Sequence, residues 1–87
     1  MLEVKTQYGN KAKVIAWYIL KNGWEYYQLE EFDEYGHAYG FVMGDCNEFG
    51  SFNINEIKPY LWGQAHGDEL NEIALPPEWE RLEEELV

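Results

Sequence analysis

The stretch Lys11-Ala12-Lys13-Val14-Ile15-Ala16-Trp17-Tyr18-Ile19-Leu20, followed by Lys21-Asn22-Gly23, decides how this chain is read. Its apolar residues run consecutively from Val14 to Leu20. Consecutive apolar residues fit a buried strand and a buried helix equally well, so periodicity does not choose. Asn10 could cap a helix and Gly23 could end one. Composition favours a strand, because Val14, Ile15, Trp17, Tyr18 and Ile19 are β-branched or aromatic. Asn22-Gly23 is then the tight turn of a β-hairpin.

The rest of the chain follows from that choice. Trp24 to Asp33 is the return strand, with Tyr27 and Leu29 on one face and Trp24, Tyr26 and Phe32 on the other. That imperfect alternation suits a sheet partly covered on both faces. Ala38 to Met43 and Gly50 to Ile54 read as third and fourth strands. Turn residues separate them at Tyr35-Gly36-His37 and between Gly44 and Gly50. Met1 to Gln7 reads as an edge strand with Glu3, Lys5 and Gln7 facing solvent. Beyond Ile54, Asn55 is placed to cap a short helix from Glu56 to Leu61, with Pro59 in its first turn or limiting its length. Gly63 to Asp68 reads as a loop. Pro76-Pro77 reads as the opening of a terminal helix with Trp79, Leu82 and Leu86 as its apolar stripe. The expectation is an α+β fold: an antiparallel meander of about four strands with short C-terminal helices, all in one domain, 1–87.

Composition supports one aromatic-rich core. The 87 residues include 4 Trp, 7 Tyr and 4 Phe, and each aromatic buries on the order of 150–250 Å². Cys46 is the only cysteine, so an internal disulfide is impossible and a reducing cytoplasm fits. No signal peptide is legible, and the seven-residue run Val14 to Leu20 is too short for a membrane span.

Charge is the most unequal feature. Residues 25–87 carry sixteen carboxylates and two basic side chains, a net of −14, while residues 1–24 carry four lysines and one glutamate, a net of +3. Together these give the net −11 of the chain. A one-signed surplus adds self-repulsion to the folded state. It argues against nucleic acid or an anionic membrane as a direct partner. It points instead to a positively charged partner or to solubility.

Three blocks carry a resemblance: Trp24-Glu25-Tyr26-Tyr27-Gln28-Leu29-Glu30-Glu31-Phe32-Asp33, then Tyr39-Gly40-Phe41-Val42-Met43-Gly44, then Glu48-Phe49-Gly50-Ser51-Phe52-Asn53-Ile54-Asn55-Glu56-Ile57. Over about residues 16–57 the chain resembles a family of small uncharacterised proteins of phages, plasmids and conjugative elements. That family's pattern runs W-x-W-Y, then F-G-x-V-x-G-x-x-x-E-x-G-x-F-x-L-x-E-L. Tyr26 stands for the second Trp, Tyr39 for the Phe before the glycine, and Ile54 and Ile57 for the leucines. The shared residues are mostly fold-defining, with Glu48 and Glu56 the polar ones. The resemblance implies a mobile-element origin and no particular chemistry.

Asp45 to Glu56 scans as a twelve-residue calcium loop with Gly50 at the turn and Glu56 as bidentate ligand. Phe49 stands where an oxygen ligand is needed, and a strand precedes the loop, so no metal site and no cofactor are expected. Neighbouring carboxylates such as Glu30/Glu31 and Asp33/Glu34 point to opposite faces of a strand and do not converge for acid–base work. His37 and His66 fall in turns without metal spacing. Four lysines are too few for a nucleic-acid groove, so most aromatics belong to the core, with one or two of Trp17, Trp62 and Trp79 available as interface anchors.

The expectation is therefore a binding protein and not an enzyme. It is a small acidic inhibitor from a mobile element that mimics nucleic acid and occupies a basic, nucleic-acid-handling host protein in the bacterial cytoplasm, a CRISPR or restriction effector being the concrete case. The rival is an accessory protein of the element, a homodimer in one version, whose charge serves solubility. The residues expected to meet the partner are Glu30, Glu31, Asp33 and Glu34; Asp68, Glu69 and Glu72; and Glu78, Trp79, Glu80, Glu83, Glu84 and Glu85. Trp79 has two readings, partner anchor or a residue that docks the terminal helix onto the sheet.

Overall fold

In a computed structural model, which describes residues 2–82, the chain forms eight strands in two antiparallel sheets. The strands are β1 (Leu2–Lys5), β2 (Lys11–Val14), β3 (Ala16–Leu20), β4 (Glu25–Gln28), β5 (His37–Met43), β6 (Asn47–Asn53), β7 (Leu61–His66) and β8 (Glu80–Arg81). One sheet has the order β2-β1-β8 and the other β6-β5-β4-β3-β7. This corrects the expected α+β meander of about four strands. The protein is mostly antiparallel β, and the described residues hold one short helix, α1 (Ile54–Ile57).

The decisive stretch is extended, but it is two strands. Val14 ends β2 in the small sheet, and Ala16 begins β3 in the large one. The chain changes sheet at Ile15, whose backbone N–H donates to the Gln28 carbonyl at 2.8 Å. Consecutive apolar residues hid this break, because each side of it faces a covered surface.

The large sheet is covered on both faces, giving two cores. Core 1 lies between the sheets and holds Leu2, Val4, Val14, Tyr27, Phe41, Ala65, Leu70 and Trp79. Core 2, on the other face, holds Ala16, Tyr18, Leu20, Tyr26, Ala38, Phe52 and Ile57. Adjacent Tyr26 and Tyr27 thus enter different cores, with Trp24 and Phe32 on the Tyr26 side and Leu29 on the Tyr27 side, as the sequence reading has it. Asn22-Gly23 makes the β3–β4 turn, Gly23 taking φ +92°. Gly40 is needed where β5 crosses β4, since a Cβ there would collide with the Tyr27 carbonyl and meet the Phe52 ring.

Other expectations change. The Met1–Gln7 segment supplies β1, which is the middle strand of the small sheet and not an edge. Glu3 and Lys5 do face solvent. The helix begins at Ile54 under Asn53, whose side chain accepts from the Asn55 N–H at 2.8 Å, and a 3-10 turn at Lys58–Tyr60 succeeds it. Gly63 to Asp68 is not a loop: most of it is β7, followed by a 3-10 segment at Gly67–Glu72. Pro76-Pro77 opens a turn, with Trp79 N–H donating to the Pro76 carbonyl at 2.9 Å, and β8 follows. As far as Leu82 the expected terminal helix is replaced by this turn and strand, which carry Trp79 into core 1. Glu83 to Val87, including Glu83, Glu84, Glu85 and Leu86, lie outside the described residues. Among the described residues no helix is long and apolar enough to cross a membrane.

Candidate functional site

Strand order brings two acidic segments to one end of the large sheet. Ala16 pairs with Gln28 on one side and with His66 on the other. The segment after β4, with Glu30, Glu31, Asp33 and Glu34, therefore leaves the sheet at the same end as the segment after β7, with Asp68, Glu69 and Glu72. All seven carboxylates are exposed. No lysine or arginine occurs in 28–37 or 66–73.

Tyr18 joins the two segments. Its ring centroid lies 6.4 Å from that of Phe32 and 5.8 Å from that of His66. Its hydroxyl donates to Gln28 Oε1 at 2.9 Å, and Gln28 Nε2 donates to the Glu30 carbonyl at 2.8 Å. Gln28 is 2% exposed, so this buried polar chain fixes where the first acidic loop starts. Burial raises the Tyr18 pKa, and the nearby Glu31 charge raises it further.

Each acidic segment has its own brace. The Asp33 carboxylate accepts from the backbone N–H groups of Tyr35 and His37, both at 2.9 Å. The His37 N–H is the largest cause of its lowered pKa, which keeps Asp33 ionised. Gly36, at φ +86°, lets the turn close. In the second segment Leu70 is fully buried in core 1, and Glu69 Oε1 accepts from the His66 N–H at 3.4 Å. Asp68 and Glu72 are left pointing to water.

Of the third predicted cluster, Glu78, Trp79 and Glu80 are described, and Glu83, Glu84 and Glu85 lie outside the described residues. Glu80 sits on β8 in register with Lys5 in the other sheet. Glu78 lines a cavity of about 550 Å³ with Gln7, Tyr8, Phe41, Asn47, Pro76, Pro77 and Trp79. Trp79 is 7% exposed. Its ring lies 5.0 Å from Phe41 and 5.5 Å from Tyr27, and its indole N–H donates to Gln7 Oε1. It is a core residue, as the second reading has it, but the segment it docks is a turn and β8 and not a helix. Arg81 is likewise spent on the Ile73 carbonyl at 3.1 Å.

The exposed tryptophan is Trp62, at 77%. Residue pairing skips it: Ile19 faces Gly63 and Leu20 faces Leu61, so Trp62 is the extra residue of a β-bulge. The sequence offers Trp62 as an anchor together with Trp17 and Trp79, and the acidic neighbours Glu78 and Glu80 favour Trp79. The feature that reading missed is an aromatic row at the surface. Tyr8 lies over Phe49 at 6.0 Å, and Phe49 stacks with Tyr39 at 6.2 Å. Tyr8 and Phe49 are far apart in sequence, and only the β1–β2 turn folding onto β6 joins them.

The calcium-like segment holds a strand. Asn47–Asn53 is extended β6, which strings its oxygens along about 3.3 Å per residue instead of wrapping them round an ion. Among the described residues no group of His, Cys, Asp and Glu is placed to hold a metal. No protein-family model, curated protein or solved structure matches the chain.

Proposed function

We propose that this chain is a small acidic inhibitor of mobile-element type, which occupies the basic groove of a nucleic-acid-handling host protein in place of nucleic acid. An anti-CRISPR protein is the most concrete form and an anti-restriction protein the next. The observation that supports this is the gathering of Glu30, Glu31, Asp33, Glu34, Asp68, Glu69 and Glu72 at one end of the large sheet, on two segments that contain no lysine or arginine of their own. Solubility asks only that charge be spread. A mimic asks that it be gathered, since duplex DNA presents one charge per ~1.7 Å of axis. The small sheet carries Lys5, Lys11 and Lys13 beside Glu3 and Glu80, so its exposed charge is mixed in sign.

The test is affinity capture from host lysate at low salt, with elution by duplex DNA. Basic nucleic-acid-binding proteins should be retained and then displaced by the DNA. A variant with Glu30, Glu31, Asp68 and Glu69 all changed to Gln should lose them. Raising salt from 0.1 to 1 M cuts the Debye length from ~10 to ~3 Å and should release them too. Recovery of no such protein, or equal recovery by the Gln variant, would count against the mimic and for a charge that serves solubility.

A further inference from the structure

The two sheets have four edge strands among the described residues: β2, β8, β6 and β7. Three carry formal charge, with Lys11 and Lys13 on β2, Glu80 and Arg81 on β8, and Glu48 on β6. Charge on an edge is one guard against pairing with another chain and a bulge is another, so on β7 the stretch beyond the Trp62 bulge, Gly63 to His66, is the part left to pair. β7, Leu61-Trp62-Gly63-Gln64-Ala65-His66, has no Asp, Glu, Lys or Arg in a protein that is 26% charged. It also carries Trp62 on its bulge, and Tyr60, 60% exposed, comes just before it.

We infer that β7 is a self-pairing edge, through which two copies of this chain join by antiparallel β7–β7 contact about a twofold axis. The composition of the strand selects this occupant. A basic partner would be helped by acids along the strand, whereas a second copy of an acidic chain would be repelled by them.

The flanks of β7 point the same way. Before it comes Lys58, and the Lys21 N–H is bonded to the Tyr60 carbonyl at 2.9 Å. After it come Asp68 and Glu69. Antiparallel pairing sets the start of one β7 against the end of the other. Lys58 and Lys21 of one copy then face Asp68 and Glu69 of the second, and the reverse pair forms by symmetry. The remaining acids of the two copies lie at opposite ends of the joined sheet. Two five-stranded sheets become one of ten strands. The assembly closes at two copies, because the twofold contact uses up the same edge on both.

Analytical ultracentrifugation of the intact chain tests this. The wild type should shift from the 10.3 kDa monomer to twice that mass by about 100 μM, as a micromolar dissociation constant requires. Trp62→Lys should raise that constant at least tenfold with an unchanged circular dichroism spectrum. Gln64→Lys, at a second exposed position on the strand, should do the same. Lys58→Glu should weaken the dimer, and adding Asp68→Lys to it should restore pairing. A wild type that stays monomeric at that concentration overturns the inference. So does a dimer that persists in both strand variants, since it would use another surface. Neither result bears on capture of a basic partner by the acidic end.

Discussion

Replacing Trp79 with alanine removes the side chain that ties the C-terminal segment to both layers. The indole is 7% exposed, sits against Phe41, Tyr27 and Phe49, and hydrogen-bonds Gln7. An aromatic of this size buries about 200 Å², which at roughly 25 cal/mol per Å² is about 5 kcal/mol. A compact unfolded state trims that figure by roughly 10–40%. The expected loss is thus about 3–5 kcal/mol, in line with large-to-small core substitutions. An 87-residue domain at roughly 0.05–0.15 kcal/mol per residue has about 4–13 kcal/mol in all, so the variant should lie close to its unfolding threshold. The melting temperature should fall by about 12–40 °C at roughly 4–8 °C per kcal/mol. Urea unfolding followed by circular dichroism gives the free energy, and a thermal melt gives the second reading. A loss below about 1 kcal/mol would refute the placement of Trp79 in core 1 and return it to the surface as a partner anchor.

Tyr18→Phe leaves Gln28 Oε1 buried without its donor and should cost about 1–3 kcal/mol, read by urea titration; a neutral result would mean that the Tyr18–Gln28 bond does not hold the acidic loop. Burial raises the pKa of Tyr18, Tyr26 and Tyr27 above the ordinary tyrosine value of 10.0. A raised folded pKa gives stability that is whole below the unfolded value and lost as pH climbs through the folded one. Denaturant midpoints should therefore hold near neutrality and decline once the pH passes 10, and a midpoint flat through that range would contradict the burial of these phenols.

The hairpin at Asn22-Gly23 was legible because turn chemistry is local, and the opposite facing of Tyr26 and Tyr27 because a strand has a period of two. The sheet change at Ile15 was not, since covered faces on both sides erase polar alternation. Gly63 and Gly67 made β7 look like a loop, although Gly63 lies within β7 and only Gly67 turns the chain, at φ +57°. Pro76-Pro77 followed by a spaced apolar stripe is a fair helix signal, overridden by the burial of Trp79 in a core built from distant residues. At the site, the acids themselves were plain in the sequence. Their convergence was not, because it depends on β3 standing between β4 and β7. The exposure of Trp62 was hidden for a related reason: a bulge is a property of pairing, and single-chain patterns do not encode it.

The two cores differ in when they can exist. Core 2 is assembled from residues 16 to 57, all within successive hairpins and the helix that follows them. Core 1 begins at Leu2 and is closed by Trp79, and Val4 in β1 pairs with Arg81 in β8. On a ribosome the first strand is made early and its β8 neighbour some seventy residues later. Leu2 and Val4 can meet Val14, Tyr27 and Phe41 as these emerge, but they lack Trp79 and the β8 strand until the end of the described residues is made. Long-range closure of this kind slows folding. It leaves a nascent chain whose second core is ready while its first is open, an interval in which exposed apolar strands invite wrong contacts. The negative charge that emerges with residues 25–78 has a use during that interval, since it keeps incomplete chains apart until Trp79 arrives.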